Sequence, residues 1–216
     1  MKCGVMLVGL CGRSGSGKGY VSALFSGFGI PSIDTDAVYR EMTAPTDTLS
    51  PCMEALVERF GEQILSSDNS LNRPVMRSLV FNGDAEALHD LNTITHRFIL
   101  DETERIAAEY YENGTPIVLV DAPLLYESGF DRMCECVVCV TAPEDILLER
   151  IMKRDGIGEE DAKRRLAAQI PVEELEDRAD FVIANDCEKD ELIRRIGNCA
   201  EQLRTIRAER YDGGER

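Results

Sequence analysis

No stretch of the sequence stays apolar over the ~18–20 residues a transmembrane helix needs, which excludes a membrane-spanning helix. Basic residues are also short. Lys and Arg number 24 against 40 Asp and Glu, for a formal net charge of −16. A surface of that sign repels nucleic acid and anionic membranes, so general polyanion binding is excluded. Any site for an anionic substrate must then be a local basic pocket in an acidic field. Histidine is reduced to two residues, His89 and His96, both far in sequence from the cysteine-rich stretch 134–139. Internal repeats and low-complexity segments are absent, as is the N-K-x-D signature of guanine-nucleotide switches.

What is present belongs to a globular chain. The length of 216 residues fits one domain, or one core domain with a sizeable insertion, and is enough to bury a core. Eight cysteines occur, Cys3, Cys11, Cys52, Cys134, Cys136, Cys139, Cys187 and Cys199, and reduced thiols in a cytoplasmic protein are expected. Cys134, Cys136 and Cys139 suggest a metal cluster. On a strand, however, the first two face one side and the third the other, so they are read as small buried hydrophobes. Lys2 followed by the apolar run 3–11 has the outline of a signal sequence. It lacks a small-residue cleavage site and runs straight into a glycine loop, so it is read as a buried first strand.

Short apolar runs alternate with segments of helical period. Strands are expected at Val5 to Leu10, Ile30 to Ile33, Ile117 to Val120, Val137 to Val140 and Phe181 to Ile183. Continuous apolar strands suit a parallel sheet covered on both faces, with its ligand crevice at the polar or glycine-rich ends that follow each strand. Helices are expected at Lys18 to Phe28, Glu144 to Arg154 and Glu188 to Arg207. The long gap from about 43 to 115 has helical periodicity and no convincing strand, and reads as a helical insertion. The tail from Tyr211 is polar and expected to fray.

The strongest motif is Gly12-Arg13-Ser14-Gly15-Ser16-Gly17-Lys18, a G-x-x-x-x-G-K loop between a strand and a helix. Backbone N–H groups of such a loop converge on phosphate, the helix N-terminus favours the anion, and the lysine reaches the β/γ oxygens. Gly12, Ser14, Gly15, Ser16, Gly17, Lys18, Gly19 and Tyr20 are therefore the expected ATP-binding residues. The position after Lys18 normally carries a Ser or Thr hydroxyl that binds Mg²⁺, and here it is Gly19. Water can replace that ligand, since Mg²⁺ retains several waters.

Asp34 and Asp36 follow the second strand, where a carboxylate either accepts the proton of an attacking hydroxyl or serves as a helix cap or solvated loop residue. Asp121 ends the third strand, where an aspartate binds Mg²⁺ through water or simply starts a turn before Pro123. Arg150, Lys153, Arg154, Lys163, Arg164 and Arg165 form a basic stretch in this acidic chain. Arg150 and Arg154 share a helix face, and Gly156 and Gly158 are candidate hinges of a lid that delivers cations to a phosphoryl group. Lys163 and Arg164 read instead as a solvated face paired with Glu149, Glu159 and Glu160.

Together these residues resemble the dephospho-coenzyme A kinase family over nearly the whole chain. Val8 through Lys18 resembles its L-T-G-x-I-G-S-G-K-S opening, and Phe28 through Asp36 its L-G-x-x-V-I-D-A-D element. Arg73 through Phe81, Leu91 through His96, Asp121 through Glu127, Leu148 through Asp155, Ala167 through Gln169 and Ala179 through Asn185 continue the series. The phosphate loop is common to many kinases; the aspartate pair, the P-L-L-x-E element and the A-D-x-V-I-x-N element are far more specific.

The resemblance implies an α/β P-loop kinase fold with a five-stranded parallel sheet of order 2-3-1-4-5. Residues 1–44 and 115–216 would form the nucleotide-binding core, with a lid at about 154–172 and a helical substrate-binding insertion at 45–114. It implies transfer of the ATP γ-phosphate to the ribose 3′-hydroxyl of dephospho-coenzyme A with Mg²⁺, by a cytoplasmic monomer or weak homo-oligomer. Asp36, Lys18 and Arg150 become the expected catalytic residues, and Asn185 joins the ATP-binding set. Asp36, Arg77, His96, Pro123, Leu124 and Glu127 become the expected acceptor contacts, and Asp121 the metal ligand. Three positions depart from the family pattern: Gly19, Arg97 in place of a proline after His96, and Cys187 in place of a glycine near the expected adenine pocket. The remaining readings are a kinase for another small hydroxyl substrate and a nucleotide-binding relative with little turnover.

Overall fold

The computed structural model describes residues 4–81 and 85–211. Cys3, the Lys2 end of the first apolar run and the tail beyond Tyr211 lie outside the described residues. The described chain divides into two compact units. One comprises the residues up to Ile33 with those from Ile106 onward, and the other is Asp34–Arg105.

The first unit is built on β1 (Met6–Cys11), β2 (Ser32–Asp34), β3 (Ile117–Asp121), β4 (Cys136–Thr141) and β5 (Phe181–Ala184), in the order β2-β3-β1-β4-β5. The pairings of β1 with β3 and β4, and of β4 with β5, are parallel. Residues of β1, β3 and β4 are buried almost throughout, as expected for strands covered on both faces. Strand alternation assigns the faces. Met6, Val8 and Leu10 share a core with Cys136, Val138 and Val140, and with Val21 and Phe25 of α1 (Lys18–Ser26). Leu192, Ile196, Cys199 and Leu203 of α9 (Lys189–Tyr211) complete it. On the opposite face Leu125 packs over Gly9, leaving an ideal Cβ there only 2.7 Å from the leucine side chain.

Three further helices of this unit lie between β4 and β5: α6 (Glu144–Asp155), α7 (Glu159–Ala167) and α8 (Val172–Arg178). Leu147 and Ile151 of α6 bury against Ala162 and Leu166 of α7. Gly156, in the left-handed region at φ 65°, ends α6, and Gly158 precedes α7, so both candidate hinge glycines sit at the α6–α7 corner.

The second unit holds α2 (Thr35–Met42), α3 (Pro51–Phe60), α4 (Arg73–Phe81) and part of α5 (Ala85–Glu112). Ser50 caps α3, its hydroxyl accepting from Met53 N–H at 3.1 Å with Pro51 opening the helix. Cys52, Met53, Leu56, Phe60, Ile64, Leu71, Met76 and Val80 form its core. The expected lack of strands holds among its described residues apart from a single bridge, Leu65 to Leu71, and the end of β2 at Asp34. Sequence periodicity placed no helix directly after the second strand; α2 occupies that position, nucleated by its Asp34 cap. No described helix is long and apolar enough to cross a membrane.

All seven described cysteines are free. Among the described residues no group of three His, Cys, Asp or Glu is placed to hold a metal. Burial pushes the Cys52 thiol up to about 11 and Cys199 up to about 12, and raises Cys134 and Cys136 as well. Cys134 precedes β4 and donates to Phe130 O at 3.4 Å, so only Cys136 and Cys139 alternate on the strand itself.

Candidate active site

β1 ends at Cys11, and residues 12–17 turn into α1, whose N-terminus has no side-chain cap. The first N–H groups of a helix lack intrahelical partners and carry partial positive charge, so this end suits an anion. The loop backs a cleft of about 490 Å³. Arg13, Lys18, Arg150 and Arg154 line it, and among the described residues no carboxylate does. It is the local basic pocket that the acidic composition demands of any site for an anion. Gly15 and Gly17 both have φ 84°, a region L side chains rarely adopt. An ideal Cβ on Gly15 would stand 2.7 Å from Leu147 O of α6, and one on Gly17 would stand 2.2 Å from Asn185 Nδ2.

The loop is held from outside by side chains distant in sequence. Asn185 follows β5 and is 6% exposed; its Nδ2 donates to Ser16 O at 2.7 Å. Arg150 Nη1 donates to Gly15 O at 3.3 Å and Ser16 O at 3.4 Å, and its Nη2 to Asn185 O at 3.1 Å. The residue expected to touch phosphate from a lid thus lies within α6, where it both lines the cleft and bonds two carbonyls of the phosphate loop. One turn on, Arg154 Nη2 donates to Ser14 Oγ at 3.1 Å while its Nε pairs with Asp155 at 2.7 Å. Arg13 Nη2 donates to Leu166 O at 2.6 Å, and Ser14 N–H to Gln169 Oε1 at 3.0 Å. On the exposed face of α7 Lys163 pairs with Glu159, as the solvated reading expects, while Arg164 takes Asp161, which that reading did not name.

Lys18 is ion-paired with Asp121 at the end of β3, each side chain 16% exposed. An ideal Cβ on Gly19 meets nothing within 4 Å, so space for water exists where a hydroxyl would otherwise project. One carboxylate, open space and an anion cradle are compatible with Mg²⁺, which takes one or two carboxylates and completes its shell with waters and phosphate oxygens.

Pro123 borders this cleft and a small neighbouring cavity of about 20 Å³ that Glu127, Tyr126 and Cys11 also line. Leu124 is 54% exposed. The Tyr126 ring lies under the Arg178 guanidinium at 3.7 Å. The Cys11 thiol is lowered, first by hydrogen bonding to Cys139, its partner across β1 and β4, and also by the Lys18 charge.

The remaining predicted residues belong to the second unit. Asp34 caps α2, its Oδ1 accepting from Asp36 N–H at 2.9 Å and Ala37 N–H at 3.1 Å. Asp36 stands exposed in the first turn of that helix. Arg77 is exposed on α4. His96, on α5, is partly buried, and burial lowers its pKa. Sequence reasoning gave no task to Arg13 or Gln169. A cation inside a glycine loop was a visible signal for Arg13, whereas Gln169 lies 155 positions from its partner Ser14, and no local pattern reports such a contact.

Comparison with known proteins now gives the family. The dephospho-CoA kinase family profile matches residues 6–191. A dephospho-CoA kinase of Anaeromyxobacter dehalogenans is 36% identical over 208 residues, 94% of this chain and 95% of that one. One from Corynebacterium efficiens is 40% identical over 183 residues, 84% of this chain and 89% of that one. A solved structure of a Thermus thermophilus protein, 28% identical, superposes with a TM-score of 0.73 over 92% of this chain and 97% of its own.

Proposed function

The chain belongs to the dephospho-CoA kinase family, and from that premise we propose how its residues carry out the family's reaction, the final step of coenzyme A biosynthesis. The activity is ATP-dependent phosphoryl transfer to the ribose 3′-hydroxyl of dephospho-coenzyme A. The observation that carries the nucleotide half is the cleft lined by four cations and by the loop that leads into the uncapped start of α1. Phosphoryl transfer needs little covalent help from the protein, and positioning plus charge stabilisation supply most of the acceleration.

In this reading the loop N–H groups hold the β-phosphate. Lys18 exchanges its Asp121 partner for β/γ oxygens as nucleotide binds. Asp121 is then the carboxylate that would hold Mg²⁺ through water, and the ion would supply further neutralisation of phosphate charge. Arg154, whose guanidinium lines the cleft, adds positive charge beside the transferring group. Asp36 takes the proton of the attacking 3′-hydroxyl as the new P–O bond forms and the bond to the ADP oxygen breaks. Its support is its place in the first turn after β2, together with the family resemblance. Arg77, His96, Pro123, Leu124 and Glu127 are assigned to the acceptor, and the 34–105 unit to its binding. Tyr20, 46% exposed beside the loop, is assigned to ATP. The enzyme is placed in the cytoplasm as a monomer or weak homo-oligomer.

An assay with ATP, Mg²⁺ and dephospho-coenzyme A tests this, with the coenzyme A product identified directly. ADP release should require the acceptor and match product one to one. Turnover of another small alcohol with none of dephospho-coenzyme A would overturn it.

A further inference from the structure

We infer that Asn185 is a positioning residue: its side-chain amide, with the Arg150 guanidinium, fixes the Ser16–Gly17 peptide and thereby aims the phosphate loop. This rests on the cleft being the nucleotide site and sharpens the expectation that Asn185 belongs to the ATP-binding set, which leaves open whether it serves the base or the phosphates.

The geometry is closed on several sides. Asn185 N–H donates to Thr141 O at 2.7 Å, tying its backbone to the end of β4. Its side-chain amide reaches across to Ser16 O at 2.7 Å, and its own carbonyl accepts from Arg150 Nη2 at 3.1 Å. Arg150 Nη1 stands 3.4 Å from the same Ser16 oxygen. A trans peptide is planar, so holding the Ser16 carbonyl on this side turns the Gly17 N–H to the other. Asn185 Nδ2 also occupies the space a Gly17 side chain would need, 2.2 Å from its ideal Cβ. Glycine at 17 and asparagine at 185 are two halves of one contact. An amide this buried loses its partner only at a desolvation cost, which makes the link stiff.

Binding without acceptor separates the two assignments. Titration calorimetry compares ADP and pyrophosphate on the wild type, Asn185→Ala and Asn185→Asp, with melting curves to confirm folding. If the residue acts through the loop, both ligands weaken by the same factor, roughly tenfold or more. The ratio of ADP to GDP affinity stays put. Should Asn185→Ala not fold, the isosteric Asn185→Asp carries the same comparison. Its carboxylate cannot donate to Ser16 O, but its protonated form can. Lowering pH should therefore restore pyrophosphate affinity relative to wild type at the same pH. A loss confined to ADP, with pyrophosphate unaffected, would assign Asn185 to the base and overturn the inference. So would unchanged affinity for both, or no recovery at low pH. Because no acceptor is present, failure of the coenzyme A assay leaves this outcome standing, and the reverse.

Discussion

Two glycines two positions apart are expected to answer a new β-carbon in opposite ways. Gly19 is the second residue of α1, exposed, and an ideal Cβ there meets nothing within 4 Å. Glycine inside a helix is worse than alanine by ~0.5–1 kcal/mol, so Gly19→Ala should stabilise by up to that amount. For a chain of this length that is a rise in Tm of roughly 1–4 °C. Gly17→Ala is the reverse. Its φ of 84° costs a non-glycine residue ~1–2 kcal/mol, and its Cβ would have to displace Asn185 Nδ2 from 2.2 Å. Losing the buried bond to Ser16 O adds ~1–3 kcal/mol, for a total of about 2–5 kcal/mol. Melting curves and ADP titration measure both. Gly19→Ser then isolates the hydroxyl: against Gly19→Ala as control, it should lower the Mg²⁺ concentration for half-maximal turnover. Equal damage from Gly17→Ala and Gly19→Ala, or normal ADP binding by Gly17→Ala, would refute the steric argument. Identical Mg²⁺ curves for serine and alanine at 19 would show that the metal does not use that position.

Lys18→Ala should reduce single-turnover phosphoryl transfer by orders of magnitude in a folded protein, and near-normal turnover would sink the phosphate-loop assignment; adding Asp121→Asn should recover part of any loss in Tm, since Asp121 faces Lys18. Asp36→Asn should lower kcat by ~10²–10⁴ with little change in either substrate's Kd. Asp34→Asn should be nearly silent, because the amide oxygen still caps α2, while Asp34→Ala should cost ~0.5–2 kcal/mol of stability; a kcat loss for Asp34→Asn but not Asp36→Asn would reverse the two assignments. His96 has a folded-state pKa below its unfolded value because burial opposes the charge. The unfolded chain therefore binds the proton first, and stability from the neutral ring is lost as pH falls below about 6.5 and through the folded pKa. His96→Gln should flatten that part of the Tm-against-pH curve, and an unchanged slope would remove His96 as its source.

The apolar strands, the glycine loop and the helical character of the long stretch between β2 and β3 were legible because each rests on a local pattern, whereas the strand order came from the family resemblance. Val118, Leu119 and Val120 are apolar in succession because both faces of β3 are covered, and a five-strand parallel sheet follows from such runs. Strand ends were displaced by a residue or two, as at β1, which runs on to Cys11. α2 was missed for a different reason. Asp34-Thr35-Asp36 reads equally as a crevice loop or a capped helix start, and only the bonds to Asp36 and Ala37 N–H separate them. Arg150 shows what sequence cannot carry. Its spacing from Arg154 gave a shared helix face, yet its hydrogen-bond partners at 15, 16 and 185 depend on how α6 packs over Gly15. Asn185 was placed only in the general ATP-binding set, for want of any local signal that its amide turns toward the loop.

The charge distribution gives a last test. With a net charge of −16, the chain as a whole repels polyanionic substrates, while Arg13, Lys18, Arg150 and Arg154 attract them at contact. Distance decides which prevails. At ~0.01 M ionic strength the Debye length is ~30 Å, so acidic groups over much of the protein act on an approaching nucleotide. At ~0.15 M it falls to ~8 Å, and the cleft cations dominate the last approach. Near ~1 M, at ~3 Å, contact attraction is itself screened. KM for ATP should thus pass through a minimum as salt rises, with Mg²⁺ held saturating so that metal binding does not produce the curve. Removing distant surface carboxylates should flatten the low-salt arm alone. Arg154→Gln should weaken binding most near the minimum, since Arg154 lines the cleft. A KM that climbs steadily from the lowest salt would mean the cleft potential outweighs the acidic field at every range, and the local-pocket argument would have its distances wrong.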